Sequence, residues 1–150
     1  RGVDIEFEKL RSVDSYSGFR AYQRSKLANV LFSTELAQRL DRTDRSITSN
    51  AFHPGAIPGS GFARFLPGPL PRLFAALSRL PMTTTVEEGA ATAVYLAASP
   101  EVEGTSGRYF TDCEPETPSA AARDATTQRR LWEESASLLG IDEPLAGSDS

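Results

Sequence analysis

One uninterrupted helical pattern constrains this chain more than any other feature. Residues 19–40 contain neither proline nor glycine, and their apolar residues recur three or four positions apart. That spacing predicts an amphipathic helix of about six turns. One face of such a helix must cover an apolar surface. The apolar positions are Ala21, Ala28, Leu31, Phe32, Leu36 and Leu40.

Short apolar segments predict strands on both sides of this helix. Residues 1–9 alternate loosely between apolar and polar, and residues 46–52 contain two β-branched residues before a His-Pro-Gly turn. Residues 107–111 contain Tyr109 and Phe110 and are bounded by a glycine. The last two segments predict short strands, and residues 1–9 predict a short strand or an extended segment.

Two further helices are predicted in the second half of the chain. Thr85-Val86-Glu87-Glu88 has the form of a capping box, and the helix that follows extends to about Ser99. The last helix covers about residues 119–139 and ends at Gly140. Helices alternating with strands predict an α/β fold with parallel strands. We expect one domain over residues 1–140 and a polar tail over 141–150, with the first helix at about 15–41.

Composition excludes several classes of function. The chain has 150 residues, 39% of them hydrophobic and 24% charged, as expected of one globular domain. A single cysteine and a single histidine argue against a disulfide or a metal site, and the net charge of −4 argues against nucleic acid. No apolar run is long enough for a transmembrane segment. Because no signal-peptide pattern follows Arg1, we expect a cytoplasmic protein. Because the first residue is Arg1 and not Met, we also expect that the chain is part of a longer protein.

A proline-rich apolar segment occupies about residues 57–82. It contains five prolines and three glycines. We consider two interpretations: a lid over a hydrophobic substrate, or core filler and a subunit contact. The apolar residues that would face a substrate are Phe62, Phe65, Leu66, Leu70 and Phe74.

Tyr22 and Lys26 form the first candidate for chemistry. Their spacing places both side chains on one face of the first helix, one turn apart. A phenol is a poor base at neutral pH, and a nearby ammonium favours the phenolate. The pair is therefore a candidate acid/base unit. The alternative is a tyrosine at the edge of the core beside a solvated lysine.

The turn His53-Pro54-Gly55 is the second candidate. It follows a predicted strand, and ligands of open parallel sheets bind beyond the carboxyl ends of the strands. Gly55 allows the backbone to approach a ligand closely. The alternative is an ordinary turn that ends a strand, with a structural role for His53.

Taken in order, these motifs resemble the short-chain dehydrogenase/reductase superfamily, in particular its retinol-dehydrogenase-like branch. Tyr22-x-x-x-Lys26 within residues 15–32 looks like the active-site helix of that branch, and His53-Pro54-Gly55 looks like its turn after the following strand. Gly89-Ala90-Ala91 and residues 104–110 are similar to its last helix and strand. The resemblance covers about residues 1–140 and implies part of a Rossmann-like, doubly wound parallel sheet.

The resemblance implies a role for each matched residue. Tyr22 would exchange the hydroxyl proton during hydride transfer, and Lys26 would support it and bind the nicotinamide ribose of NAD or NADP. The branch often has a threonine at the position of Gly59, which touches the pyrophosphate of the cofactor; here either Ser60 replaces it or that contact is lost. Residues 57–82 would cover a lipophilic alcohol or carbonyl substrate. Three residues would line the nicotinamide, Pro54, Gly55 and Ile57, and His53 would belong to the same cofactor-binding turn.

Other elements of the family's cofactor site precede its tyrosine. The glycine-rich turn, the residue that selects NAD or NADP and the catalytic serine are therefore expected outside this chain, which we expect to be inactive alone. Two alternatives stay open: a truncated non-catalytic domain, and a sugar-nucleotide epimerase or dehydratase. The hydrophobic segment and the short carboxyl-terminal region argue against the second alternative. A homodimer through the Tyr22 helix is a further option.

Overall fold

The computed structural model describes residues 3–10, 16–43, 46–55, 68–69, 72, 86–142 and 145. Within these ranges the chain forms α1 (Gly18–Leu40), β1 (Ala51–His53), α2 (Val86–Ala98), β2 (Tyr109–Thr111), β3 (Glu114–Glu116) and α3 (Ala125–Leu139). Single turns of 3₁₀ helix lie at Phe7–Lys9, Pro100–Val102 and Ala121–Arg123. The α/β class predicted from the sequence is confirmed, and the architecture is consistent with part of a Rossmann-like fold.

The described strands form one small mixed sheet in the order β1-β2-β3. The pair β1 and β2 is parallel, with Phe52 opposite Phe110, as the sequence predicts. The pair β2 and β3 is antiparallel, with Phe110 opposite Pro115. Phe110 is almost fully buried at the centre of this sheet.

The hairpin between β2 and β3 was not predicted. Its two turn residues, Asp112 and Cys113, both have positive φ angles of 49° and 64°. Two-residue hairpins need such angles but usually obtain them from Asn-Gly or Asp-Gly, which is why the pattern gave no signal. The Cys113 N–H donates a hydrogen bond of 3.1 Å to the hydroxyl of Thr92 on α2. Thr92 is buried, so α2 helps to hold the turn.

Of the two alternatives predicted for residues 1–9, a short strand or an extended segment, the strand is wrong for the part that the structure describes. Phe7–Lys9 is a single 3₁₀ turn, closed by a hydrogen bond from the Lys9 N–H to the Glu6 carbonyl. The Glu6 carboxylate forms ion pairs with Lys9 and with Arg24 on α1. This segment is thus held by side-chain ion pairs with α1. It pairs with no strand among the described residues.

The predicted strand over residues 46–52 is shorter in the structure and ends one residue later. Only Ala51–His53 joins the ladder. Before β1, a backbone hydrogen bond of 2.8 Å from the Gly107 N–H to the Ser49 carbonyl continues the pairing. Side chains add to it: the Asn50 amide donates to the Thr105 carbonyl at 2.7 Å and accepts from the Arg108 N–H at 3.0 Å. The strand predicted over residues 107–111 likewise narrows to Tyr109–Thr111.

The helix predictions hold with local changes. The pattern over 19–40 corresponds to α1, and the helix predicted up to Ser99 corresponds to α2. The last helix starts later than residue 119, because the Asp124 carboxylate accepts hydrogen bonds from the N–H groups of Thr126 and Thr127 and caps α3 there. Gly140 ends α3 in a left-handed conformation, with φ 63°.

The core lies between α1 and α3 and beneath the sheet. The Phe32 ring stacks on Trp132 with centroids 5.0 Å apart, and the Arg39 guanidinium lies 4.8 Å from the centroid of the same indole. Arg39 also pairs with the buried Glu35 at 2.7 Å. Leu31 is fully buried. This packing fixes α1, and therefore the orientation of Tyr22 and its neighbours.

Candidate active site

Tyr22 and Lys26 lie on the face of α1 that covers the sheet. A helix turns about 100° per residue, so both side chains point within about 20° of Ser33. The Ser33 hydroxyl lies 2.9 Å from the hydroxyl of Ser49, which precedes β1. The candidate pair therefore points toward the sheet side of α1, nearer to its amino-terminal end.

The directions of α1 and β1 bring the two candidate motifs to the same level. The chain turns back after α1, and the Ser49 contact with Ser33 is consistent with β1 running antiparallel to α1. From Ser49 to His53 an extended chain advances about 13 Å, at about 3.3 Å per residue. Along a helix the same distance is about nine residues at about 1.5 Å each. About nine residues before Ser33 on α1 is a position between Tyr22 and Lys26, so His53 should lie at about the height of this pair along the helix.

The local geometry of the pair suits proton exchange. Tyr22 is half-buried and Lys26 is exposed. The Lys26 ammonium lies 5.5 Å from the centroid of the Tyr22 ring. A positive charge thus lies beside the Tyr22 ring.

Two other tyrosines have the opposite surroundings. Partial burial and the neighbouring Glu101 carboxylate raise the pKa of Tyr95. Partial burial and Glu116 raise the pKa of Tyr109. A carboxylate beside a phenol opposes the phenolate, so neither residue is suited to act as a base near neutral pH. Tyr22 differs from both because its neighbour is a cation.

The turn after β1 is held by its own histidine. His53 belongs to β1 rather than to the turn, and its Nδ1 accepts a hydrogen bond of 2.9 Å from the Gly55 N–H. Gly55 has a φ of 75°, a conformation that side chains with a Cβ disfavour. This bond gives His53 a structural contact, while Pro54 remains exposed at the end of the strand.

Several predicted site residues lie outside the described residues. Of the segment 57–82, only Gly68, Pro69 and Arg72 are described. The proposed cofactor contacts of Ile57 and Ser60 therefore stay predictions. The same holds for the residues assigned to the substrate lid: Phe62, Phe65, Leu66, Leu70 and Phe74.

Three glycines after β1 bear on the expectation that the glycine-rich turn of the cofactor site lies outside this chain. Gly55, Gly59 and Gly61 have the G-x-x-x-G-x-G spacing of a dinucleotide-binding turn, and only Gly55 is described. The expectation that this chain lacks the pyrophosphate site therefore rests on the order of the motifs in the family, not on an absence of such spacing.

The residues that connect the two motifs were not identified from the sequence. Ser33 and Ser49 join α1 to the segment before β1, and Asn50 joins that segment to the loop before β2. Neither serine belongs to a recognisable motif. Asn50 is a polar residue within an otherwise strand-like segment, and this was the one available signal.

The described residues contain neither a cluster suited to a metal ion nor a helix suited to a membrane. No group of three or more His, Cys, Asp or Glu side chains among them is arranged to hold a metal ion. None of the helices in that part of the chain is both long and apolar enough to cross a membrane.

Comparison with known proteins identifies relatives along most of the chain. No family model matches it. It is 45% identical to Retinol dehydrogenase 14 from Homo sapiens over 140 residues, which is 92% of this chain and 40% of that protein. It is 43% identical to the WW domain-containing oxidoreductase from Pongo abelii over 136 residues, which is 90% of this chain and 32% of that protein.

A third relative extends the same pattern. The chain is 43% identical to Dehydrogenase/reductase SDR family member 13 from Bos taurus over 122 residues, which is 81% of the chain and 32% of that protein. The chain thus spans about a third to two fifths of the length of these relatives. It belongs to the short-chain dehydrogenase/reductase superfamily, where it is similar to part of the retinol-dehydrogenase-like members.

Proposed function

We propose that this chain supplies the acid/base group of an oxidoreductase that transfers hydride between NAD or NADP and a lipophilic alcohol or carbonyl compound. The observation that carries the proposal is the position of Tyr22 and Lys26. They lie one turn apart on α1, and helix and strand spacings counted from the Ser33–Ser49 contact bring the His53-Pro54-Gly55 turn to about the same level. The names of the relatives, two dehydrogenases and an oxidoreductase, support the same class of reaction.

Tyr22 would move the proton of the reaction. When a carbonyl is reduced, its oxygen gains negative charge, and the Tyr22 hydroxyl donates a proton to it. When an alcohol is oxidised, the same oxygen of Tyr22 accepts the proton. The Lys26 ammonium, 5.5 Å from the ring centroid, lowers the energetic cost of the negative charge on Tyr22 in either direction.

The residues present fit the nicotinamide side of the cofactor. The nicotinamide, when bound, supplies or accepts the hydride. Lys26 is exposed and has three donors, which suits the hydroxyl groups of a ribose. Gly55 leaves room for a flat ring beside the turn, because it has no Cβ and its φ is 75°. Pro54, His53, Ile57 and Ser60 would complete this side of the site.

The proposed preference for a lipophilic substrate rests on the sequence of residues 57–82. Aromatic and leucine side chains are frequent there, and such side chains form the walls of apolar ligand sites. A short-chain or sugar substrate would leave such side chains exposed to water. The cytoplasmic location and a homodimer through α1 stay predictions.

An activity assay of the full-length protein tests the proposal. Oxidation of reduced NAD or NADP is followed by loss of nicotinamide absorbance, with a long-chain aldehyde and glyceraldehyde as alternative substrates. We expect turnover with one of the two cofactors and a higher kcat/KM for the long-chain aldehyde. Absence of turnover with both aldehydes and both cofactors would support the non-catalytic alternative. A preference for glyceraldehyde would contradict the proposed substrate class.

A further inference from the structure

A cavity of about 450 Å³ lies between α1, α3 and the segment that contains the Phe7–Lys9 turn. Small-molecule sites usually have volumes of about 300–1,000 Å³. The cavity is on another face of α1 from the proposed acid/base pair: the lining residues Ala21 and Ala28 point about 100–160° away from Tyr22 and Lys26. The proposed reaction therefore makes no use of this cavity.

The walls of the cavity are apolar on three sides. Ile5 and Leu10 contribute from the amino-terminal segment, Ala28 from α1 and Leu131 from α3. Leu131 is also part of the buried core, so the floor of the cavity is continuous with the packing between the two helices. An apolar body of a ligand would lose water contact on these surfaces.

The charged groups around the cavity are unbalanced. Among the described residues that line it are three cations, Lys9, Arg20 and Arg24, and one carboxylate, Glu6. Glu6 is shared between Lys9, at 2.6 Å, and Arg24. Arg20 is exposed and forms no ion pair with another described residue. An excess of positive charge beside an apolar cavity favours a ligand with an anionic group.

Ion pairs to two helices hold the segment that forms the outer wall. Glu6 pairs with Arg24 of α1. The Arg130 guanidinium of α3 lies 4.1 Å from the centroid of the Phe7 ring and 3.7 Å from the Glu8 carboxylate. The wall is thus fixed to both helices by named contacts, and high salt should loosen those that are exposed.

We propose that this cavity binds a small acidic amphiphile, a molecule with an apolar chain and one anionic head group. The chain would lie against Ile5, Ala28 and Leu131, and the head group would lie between Arg20 and Arg24. A neutral molecule of the same length would gain only the apolar contacts, and a cationic one would be repelled by the arginines.

The test uses octanoate as the probe and the fluorescence of Trp132 as the signal. Trp132 is the only tryptophan in the chain, and it follows the lining residue Leu131. Octanoate is titrated into the chain below its micelle concentration, beside octanol and octylammonium. We expect a saturable change, binding of octanoate about tenfold tighter than that of octanol, and weaker binding of octanoate in high salt.

Three variants link that signal to the cavity. Arg20→Gln should reduce the affinity for octanoate about tenfold and leave that for octanol unchanged, because only the charge contact is lost. Ala28→Phe should fill the cavity and remove binding of both probes. Arg42→Gln, which removes an exposed arginine at the other end of α1, should change neither. Far-ultraviolet circular dichroism of each variant checks that its fold is retained.

Three results would overturn the proposal. The first is equal affinity for octanoate and octanol. The second is an unchanged octanoate titration in folded Arg20→Gln. The third is a dimer, seen as a doubled mass in light scattering, to which octanoate does not bind and which octanoate does not dissociate. In that case the cavity would be a contact between two copies of the chain.

Discussion

Removal of the Lys26 charge measures what its ammonium does for Tyr22. Lys26→Met keeps an unbranched side chain without the charge. Two unit charges about 5 Å apart attract by about 0.8 kcal/mol in water and about 3 kcal/mol at an effective dielectric constant of about 20. About 1.4 kcal/mol corresponds to a tenfold change in rate, so kcat/KM should fall by about 4-fold to about 150-fold. A bound cofactor would exclude water and move the loss toward the larger value.

The assay is steady-state hydride transfer by the full-length protein as a function of pH. In Lys26→Met we expect the activity to require higher pH in the oxidation direction, because Tyr22 loses the cation that favours its phenolate. Lys26→Arg keeps the charge but replaces a compact ammonium by a planar group. Its rate should therefore fall less than that of Lys26→Met, while its KM for the cofactor rises.

The matched control is Arg129→Met, which removes an exposed positive charge from α3. This variant should retain the wild-type pH profile and cofactor KM. If Lys26→Met also retained both, the ammonium would have no role in proton exchange or in ribose binding, and the argument from its geometry would be refuted.

Three further predictions concern the chain itself. Titration of the 150-residue chain with reduced NAD or NADP, followed by nicotinamide fluorescence, should show no saturable micromolar binding; such binding would show that the chain builds its own cofactor site. Leu31→Ala, at a fully buried position, should lower the free energy of unfolding by about 2–5 kcal/mol in a urea titration, and a negligible loss would contradict the α1–α3 core. The Thr127 hydroxyl, together with the Thr126 and Thr127 N–H groups, lowers the pKa of Asp124 below its ordinary value of 3.8. The ionised Asp124 carboxylate therefore stabilises the fold at pH values above 3.8, and this contribution is lost as the pH falls through the lowered pKa. Below about pH 4 the wild type should lose stability relative to Asp124→Asn. Parallel acid unfolding curves of the two proteins would disprove this contribution.

Local patterns determined most of what the sequence predicted correctly. The helices α1 and α2 follow from apolar spacing, and the end of α3 follows from Gly140. These signals lie within a few residues of the structure that they specify. The spacing of Tyr22 and Lys26 belongs to the same class, because one helical turn is enough to bring them together.

The features that escaped prediction depend on residues distant in sequence. Thr92 on α2 supports the β2–β3 turn through Cys113, and the Asn50 side chain binds the loop before β2. The start of the chain pairs through Glu6 with Arg24, which no local pattern indicates. Each of these contacts follows only once the helices and the sheet have been placed.

Tyr22→Phe in the full-length protein measures whether Tyr22 exchanges the proton, as we propose. The variant keeps the aromatic ring and removes one hydroxyl. Tyr95→Phe is the matched control, because Tyr95 lies beside Glu101 and has no role in the proposed reaction. We predict that Tyr22→Phe lowers kcat/KM by about 10²–10⁴-fold, the range typical of acid/base groups, while Tyr95→Phe stays near wild type. A folded Tyr22→Phe protein with near-wild-type turnover would contradict the claim.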